Sequence, residues 1–120
     1  MSVILIVDDH PDIRRLFSVT LDPEFEVIEA GDGVSALETI RHRHPDVVLL
    51  DVMMPGEVDG LEVLDTIKAD PKTRTILVAM MTARGQVEDG EDARRRGADA
   101  YFIKPCSPLQ VAQWVRRNLK

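Results

Sequence analysis

The feature that most constrains the fold is a set of short apolar runs separated by longer charged segments. Three of these runs are continuous and rich in β-branched residues: VILIV (3–7), VVLL (47–50) and ILVAMM (76–81). Strands that are covered on both faces, as in a parallel sheet, have this pattern. The three runs are therefore predicted to be buried strands, and each is far too short to cross a membrane.

Two further runs, FEVIEA (25–30) and AYFIK (100–104), complete a set of five predicted strands. FEVIEA alternates between apolar and polar residues, which favours a position nearer an edge of the sheet. Helices are predicted between the strands, because apolar residues recur at helical spacing over 34–43 and 60–69. Residues typical of helix ends stand at the expected boundaries: Pro11, Asp59, Gly97 and Ser107.

Five strands that alternate with helices predict right-handed crossovers and an all-parallel α/β sheet. The length of 120 residues suits one domain over residues 1–120. A net charge of −6 argues against direct binding of nucleic acid by this domain. The N-terminus lacks the features of a signal peptide, and no membrane partner is expected. The single cysteine, Cys106, excludes an internal disulfide and favours a cytoplasmic location.

Charged and hydroxyl side chains stand where the predicted strands end. In an open parallel sheet, functional residues gather beyond the carboxyl ends of the strands. The residues at these ends are Asp8 and Asp9 after the first strand, Asp51 after the third, Thr82 after the fourth and Lys104 after the fifth. Three carboxylates, one hydroxyl and one ammonium group are therefore expected at one edge of the sheet.

Such a concentration of carboxylates needs a compensating positive charge. Two carboxylates about 4 Å apart repel each other by roughly 4 kcal/mol at an effective dielectric constant of 20. Lys104 neutralises one negative charge and leaves a surplus. Mg²⁺ prefers oxygen ligands and commonly uses one or two carboxylates together with phosphate oxygens. We therefore predict that Asp8 and Asp9 form part of a magnesium site.

Asp51 has a second possible task, because a carboxylate beside Mg²⁺ can act as a nucleophile on phosphorus. Lys104 and the Thr82 hydroxyl would then contact phosphoryl oxygens. Taken singly, each motif has a commoner interpretation. An Asp-Asp pair usually forms a turn or a helix cap, Lys-Pro usually lies in a loop, and a strand-end threonine usually bonds to backbone. Their joint occurrence at four strand ends favours the phosphoryl-transfer interpretation.

With these residues placed, the sequence resembles the receiver domain of two-component response regulators, chemotaxis regulators among them. The matching blocks are ILIVDDHPDIRRLF, DVVLLDVMMPGEVDGLEVL, MMTAR and GADAYFIKP. The resemblance implies a flavodoxin-like (βα)5 sandwich with helices on both faces and strand order 2-1-3-4-5. It also implies that Asp51 accepts a phosphoryl group from a histidine kinase or a histidine phosphotransfer protein, in a signalling role that assists its own phosphoryl transfer and dephosphorylation.

The same resemblance assigns the remaining site residues. Asp8, Asp9, Asp51 and the backbone carbonyl of Met53 match the ligands of Mg²⁺, which Mn²⁺ could replace. Thr82 and Tyr101 match the switch residues, Lys104 matches the phosphate-contacting lysine, and the Lys104–Pro105 bond is expected to be cis. The implied output face comprises the fourth helix, the fifth strand and the fifth helix, and it would serve an effector, an output domain or a homodimer.

Several features leave alternatives open. Arg84 is expected to point to solvent rather than to the phosphate. The fourth helix has few apolar anchors and an interior Gly90, so it is either a mobile switching element or a frayed surface helix. Trp114 either fills an edge of the core or forms an interface with Tyr101 and Phe102. The segment PGEVDG is one residue longer than is usual in the family.

Two other functions share some of these features. A Mg²⁺-dependent phosphohydrolase would use the same nucleophile, but Met53 stands where many such enzymes carry a second aspartate, and no cap insertion is present. A flavin-binding module would need a phosphate-binding loop after the first strand, and the carboxylates found there would repel a flavin phosphate. Both are weaker than the receiver interpretation.

Overall fold

The structure is a computed structural model that describes residues 1–83 and 87–119. Within these ranges, the side chains of residue 83 and of residues 87–90 are not described. Five strands alternate with five helices. The elements are β1 (Val3–Val7), α1 (Pro11–Leu21), β2 (Glu26–Ala30), α2 (Gly33–Arg43), β3 (Val47–Asp51), α3 (Gly60–Ala69), β4 (Leu77–Ala83), α4 (Val87–Arg95), β5 (Ala100–Lys104) and α5 (Pro108–Asn118). None of the helices in these ranges has the length and apolar character needed to cross a membrane.

The five strands form one parallel sheet in the order β2-β1-β3-β4-β5. The predicted all-parallel fold and strand order are therefore confirmed, and β2 lies at an edge as its alternating pattern indicated. Some strand boundaries differ from the prediction: β3 and β4 run on to Asp51 and Ala83, so that Asp51 and Thr82 lie within strands rather than after them, and the starts of β2 and β4 are later. Phe25 precedes β2, because its amide donates to the carbonyl of Leu21 at the end of α1, and Ile76 precedes β4, because its amide bonds to Thr73 in a turn.

A separate apolar core covers each face of the sheet. One core contains inward-facing residues of α2, α3 and α4, and the other contains those of α1 and α5. The central strand β3 is buried along its whole length. This two-sided burial explains why β1 and β3 are continuous apolar runs rather than alternating ones.

Residues that favour helix ends occupy the predicted boundaries. Pro11 is the first residue of α1, and the side chains of Asp59 and Ser107 accept hydrogen bonds from amides in the first turns of α3 and α5. Gly97 follows α4 with φ of +108°, in the left-handed region that favours glycine. The chain therefore sets these helix limits by local chemistry.

The three open questions about the last third of the chain have different outcomes. Trp114 fills the edge of the core, because its ring meets Phe102 edge to face, with 6.3 Å between ring centroids, and packs against the α1 and α5 side of the sheet. Its second suggested role, in an interface, stays a prediction. Arg84 and the side-chain surroundings of Val87 and Gly90 lie outside the described residues.

Glycines allow two helices to begin very close to neighbouring backbone. A Cβ atom on Gly60, the first residue of α3, would lie 2.0 Å from the carbonyl oxygen of Asp51, and one on Gly33 would lie 2.3 Å from the carbonyl oxygen of Val58. The amide of Gly60 also donates to the carbonyl of Val52 at 3.1 Å. The absence of a side chain at Gly60 thus lets α3 begin directly against the end of β3.

Replacing Gly60 by alanine should destabilise the protein, although alanine is normally the better helix residue. The new methyl group would force α3 away from β3, and overpacking of this kind costs about 1–3 kcal/mol. Urea unfolding would measure the loss. The control is Thr66→Ala on an exposed position of the same helix, which should change the free energy of unfolding by less than about 0.5 kcal/mol. If Gly60→Ala were as stable as Thr66→Ala, the close approach of Gly60 to the carbonyl of Asp51 would be contradicted.

Candidate functional site

The sheet order brings the predicted strand-end residues to one edge. Asp51 is the last residue of β3 and Lys104 is the last residue of β5. Asp8 directly follows β1, and its amide continues the pairing with β2 by donating to the carbonyl of Ala30 at 3.2 Å. Because all five strands run in the same direction, their carboxyl ends form one rim of the molecule.

The ammonium group of Lys104 joins two of the carboxylates. Its Nζ lies 2.8 Å from Oδ2 of Asp8 and 3.2 Å from Oδ2 of Asp51. The side chain of Asp8 is fully buried and that of Asp51 is 7% exposed, whereas that of Lys104 is 23% exposed. Charge-assisted hydrogen bonds of this kind are shorter and stronger than neutral ones. Lys104 therefore compensates part of the negative charge that the fold buries.

Burial and neighbouring charge shift the pKa values of this pair. Burial raises the pKa of Asp51 above its ordinary value, and the nearby carboxylate of Asp8 raises it further, against the opposing effect of Lys104. Burial alone would lower the pKa of Lys104, but its hydrogen bond to Asp8 and the charges of both carboxylates outweigh that effect and raise it. Lys104 is accordingly charged at neutral pH. Ionised Asp51 costs the folded protein free energy, because burial and the carboxylate of Asp8 both oppose its negative charge.

The acidic residues form a cluster that could hold a metal ion. Asp8, Asp9, His10 and Asp51 each offer one ligand atom, and these four atoms lie within 4.8 Å of one another. Oδ1 of Asp9 is buried and makes no hydrogen bond of normal geometry in the described part of the chain, although Nδ1 of His10 lies 3.2 Å away. A buried carboxylate oxygen without a donor is costly unless a cation satisfies it. The donor set, dominated by carboxylate oxygens, fits a hard divalent ion such as Mg²⁺.

Two residues at this edge were not singled out from the sequence. The ring Nδ1 of His10 lies 3.0 Å from Oδ1 of Asp8 and 3.2 Å from Oδ1 of Asp9. Arg14 donates from Nη1 to the backbone carbonyl of Asp8 at 2.7 Å and pairs through Nε with Glu29 at 3.0 Å. Arg14 thus fixes the backbone of the acidic pair. The position of His10 directly after Asp8 and Asp9 was a usable signal, whereas Arg14 offered none beyond its helical spacing.

The remaining predicted residues lie outside the cluster of carboxylates, with Thr82 on β4, Tyr101 on β5 and Met53 in the loop after β3. Thr82 is fully buried in β4, and its hydroxyl has no hydrogen-bond partner among the described residues. Tyr101 in β5 is half-buried, and the guanidinium carbon of Arg94 lies 5.9 Å from its ring centroid. The amide of Met53 donates to Oδ1 of Asp51 at 3.3 Å. The Lys104–Pro105 peptide bond is cis, as expected.

The charge on Asp51 should destabilise the metal-free protein. Because folding raises its pKa, the stabilising contribution of the protonated carboxyl group is fully present below the unfolded-state pKa and is lost as pH rises through the folded-state pKa. Asp51→Asn should therefore raise the free energy of unfolding near pH 7 by about 1 kcal/mol, since Lys104 offsets most of the repulsion. The gain should fade as pH falls toward about 4.

Urea unfolding in EDTA at several pH values would measure this difference. The matched control is Asp65→Asn, whose exposed carboxylate pairs with Arg96 and should contribute little. A loss of stability in Asp51→Asn at neutral pH would show that the bond to Lys104 outweighs burial, contrary to the prediction.

Comparison with known proteins agrees with this geometry. The family model of the response regulator receiver domain matches residues 4–116. Two curated relatives are the phosphate regulon transcriptional regulatory protein PhoB of Klebsiella pneumoniae, 38% identical over 98% of this chain and 51% of PhoB, and the DNA-binding response regulator MtrA of Mycolicibacterium smegmatis, 36% identical over 98% of this chain and 50% of MtrA. The chain thus spans about half the length of these curated relatives.

Solved structures of receiver domains have the same fold as this chain. The receiver domain of NtrX from Brucella abortus superposes with a TM-score of 0.87 and 37% identity, with 95% of each chain covered. A CheY-like receiver domain protein from Methanospirillum hungatei gives a TM-score of 0.90 and 27% identity over 99% of this chain and 94% of that one. Sequence, strand order and the acidic edge all agree: the chain belongs to the response regulator receiver domain family, whose members are signalling phosphoacceptors.

Proposed function

We propose that Asp51 is the phosphoacceptor and that a histidine kinase or a histidine phosphotransfer protein is the donor. The observation that carries this proposal is the arrangement around Asp51. Its carboxylate lies at the open rim of the sheet, bonded to Lys104 at 3.2 Å and grouped with Asp8 and Asp9. A carboxylate with a fixed cation on one side and a candidate metal site on the other can attack phosphorus without a large reorganisation of charge.

The proposed step is a displacement at phosphorus. An Oδ atom of Asp51 forms a bond to the phosphorus of a phosphohistidine as the phosphorus–nitrogen bond breaks, and the electron pair of that bond stays on the imidazole nitrogen. Asp51 must be ionised to attack, and its raised pKa makes the carboxylate more basic than an ordinary aspartate. Lys104 already lies beside Asp51 and can contact one oxygen of the transferred group.

The residues proposed to hold Mg²⁺ or Mn²⁺ are the carboxylates of Asp8, Asp9 and Asp51 and the backbone carbonyl of Met53. A bound ion would neutralise the surplus negative charge of the carboxylates and of the incoming phosphoryl group. The unpartnered Oδ1 of Asp9 supports this assignment. The 3.3 Å bond from the Met53 amide to Asp51 supports only the proximity of Met53 to the site.

The proposed signal passes through Thr82 and Tyr101. The Thr82 hydroxyl, buried without a partner, would bond to a phosphoryl oxygen, and Tyr101 would then turn inward beside β4. The output face would be formed by α4, β5 and α5, and it would contact an effector, an output domain or a second copy of the chain. The proposed metal ligands and Lys104 would also assist dephosphorylation, because the charges that stabilise the phosphoryl group during transfer from a phosphodonor would stabilise it equally during attack by water.

Incubation with phosphoramidate and Mg²⁺ should add one phosphoryl group to the wild-type chain. The product should be labile to base, because it is an acyl phosphate, and intact-mass spectrometry would detect it. Removal of Mg²⁺ by EDTA should reduce the rate at least tenfold, and Asp51→Asn should abolish the gain. Lys104→Met should slow the reaction by a similar factor, because the transferred oxygens lose their fixed cation.

The matched control is Asp65→Asn, which removes an exposed carboxylate in the middle of α3 and should be phosphorylated like the wild type. An equal mass gain in Asp51→Asn would refute the assignment of the acceptor. A gain that is independent of Mg²⁺ would leave Asp51 as acceptor but refute the role of the metal.

Mg²⁺ should also stabilise the folded chain without any phosphodonor. An ion that binds only the folded state at 100 times its dissociation constant adds about 2.7 kcal/mol to the free energy of unfolding. Thermal or urea unfolding with and without Mg²⁺ would measure this gain. Asp9→Asn should remove it, whereas the control Asp12→Asn, on the exposed first turn of α1, should retain it. A full gain in Asp9→Asn would exclude that residue as a ligand.

A further inference from the structure

Residues near the C-terminal end of α4 join this helix to three parts of the molecule. Ala93 is fully buried in the core on one face of the sheet. Arg96, directly after the helix, pairs with Asp65 of α3, with 2.9 Å between Nη1 and Oδ2. The guanidinium group of Arg94 lies over the ring of Tyr101 in β5. An exposed side chain, and not buried packing alone, therefore connects α4 to Tyr101.

The contact between Arg94 and Tyr101 has the geometry of a cation–π interaction. The guanidinium carbon lies 5.9 Å from the ring centroid, inside the limit of about 6 Å for such contacts. Tyr101 is half-buried and packs against the core to which α2, α3 and α4 contribute, whereas Arg94 is exposed. The ring is therefore held between an apolar core and a cation at the surface.

Tyr101 and Thr82 lie on the same face of the sheet. Tyr101 is opposite Met80 in the parallel pairing of β4 with β5, and both residues belong to the same core. Thr82 is two residues beyond Met80, and side chains two apart in a strand point to the same face. Thr82 is fully buried, and its hydroxyl has no hydrogen-bond partner within the described ranges. A turn of the Tyr101 ring toward Thr82 would thus carry the ring inward, away from the exposed Arg94.

We propose that Arg94 is a positioning residue that holds Tyr101 at the surface and so opposes the inward turn that accompanies phosphorylation. This inference rests on the Tyr101 switch of the proposed function and extends it to the residue that sets its balance. Because the contact exists in only one of the two positions of the ring, it shifts the equilibrium between them. An exposed cation–π contact corresponds to a factor of about two to five in that equilibrium.

The direction of the effect separates this contact from a general effect of charge. By thermodynamic linkage, a residue that opposes the switched conformation also opposes a ligand that favours it. Removal of Arg94 should therefore strengthen the binding of a phosphoryl mimic at Asp51. Loss of a positive charge has the opposite effect on an anion, because a less positive domain attracts it less well.

Tyr101 is the only tyrosine of the chain, so 3-fluorotyrosine reports on this ring alone. Titration of the labelled chain with beryllofluoride, a phosphoryl mimic, in the presence of Mg²⁺ would be followed by fluorine NMR. The resonance of the wild type should move as the mimic binds. The midpoint of the titration should fall about two- to fivefold in Arg94→Ala. Arg94→Lys, which keeps a cation, should lie nearer to the wild type than Arg94→Ala does.

The matched control is Arg95→Ala. Arg95 is an exposed neighbour of the same charge on the same helix, and its Nη2 lies 3.9 Å from Oδ1 of Asp92. Its removal should not lower the midpoint. The midpoint is compared, rather than the position of the resonance, because loss of Arg94 changes the surroundings of the Tyr101 ring directly.

The remaining outcomes separate this inference from the proposed function. An unchanged or higher midpoint in Arg94→Ala refutes the role of Arg94, and an equal fall in Arg95→Ala refutes it too, because the effect then does not depend on the ring. A wild-type resonance that stays in place after phosphorylation of Asp51 refutes the Tyr101 switch and this inference with it, but leaves Asp51 as the acceptor. A wild type that is not phosphorylated at Asp51 refutes the proposed function together with this inference.

Discussion

The contact of Lys104 with two buried carboxylates is the interaction on which the functional edge depends. Like charges less than 5 Å apart repel by about 3–4 kcal/mol at an effective dielectric constant of 20. Lys104 lies at the end of β5, an edge strand, whereas Asp8 and Asp51 belong to the centre of the sheet. The compensating charge therefore reaches them only when β5 is paired beyond β4, which makes the charge balance of the site a consequence of complete sheet assembly.

The sequence predicted most of this fold because burial on both faces leaves a simple pattern. β1 and β3 are continuous apolar runs, and the alternation of β2 indicated its edge position. The boundaries were less predictable. Phe25 is apolar and looked like strand, yet its amide completes the end of α1. A buried aromatic can serve a strand or a helix end equally well, and only tertiary contacts decide which.

The site was predictable where residue type and strand end coincide. Asp8, Asp51 and Lys104 lie together at the rim, as their positions after buried strands indicated. His10 and Arg14 were not predicted, because their contacts depend on how the chain turns after β1. That turn is held by the hydrogen bond from the His10 amide to Asp8 and by the bond from Arg14 to the carbonyl of Asp8; the adjacency of His10 to the acidic pair was a sequence signal for the first, and nothing in the sequence indicated the second.

The junction between β3 and α3 has a consequence for how such domains can diverge. Backbone bonds fix both ends of the connecting loop: Val52 to Met81 on one side, and Gly60 to Val52 on the other. Val58 anchors the loop against Gly33 of α2, while Gly56 has open space around it. The loop therefore has room for an added residue at Gly56, on the side away from the two fixed ends. The loop beside Asp51, the proposed acceptor, can thus vary in length and chemistry while both of its ends stay held by backbone bonds.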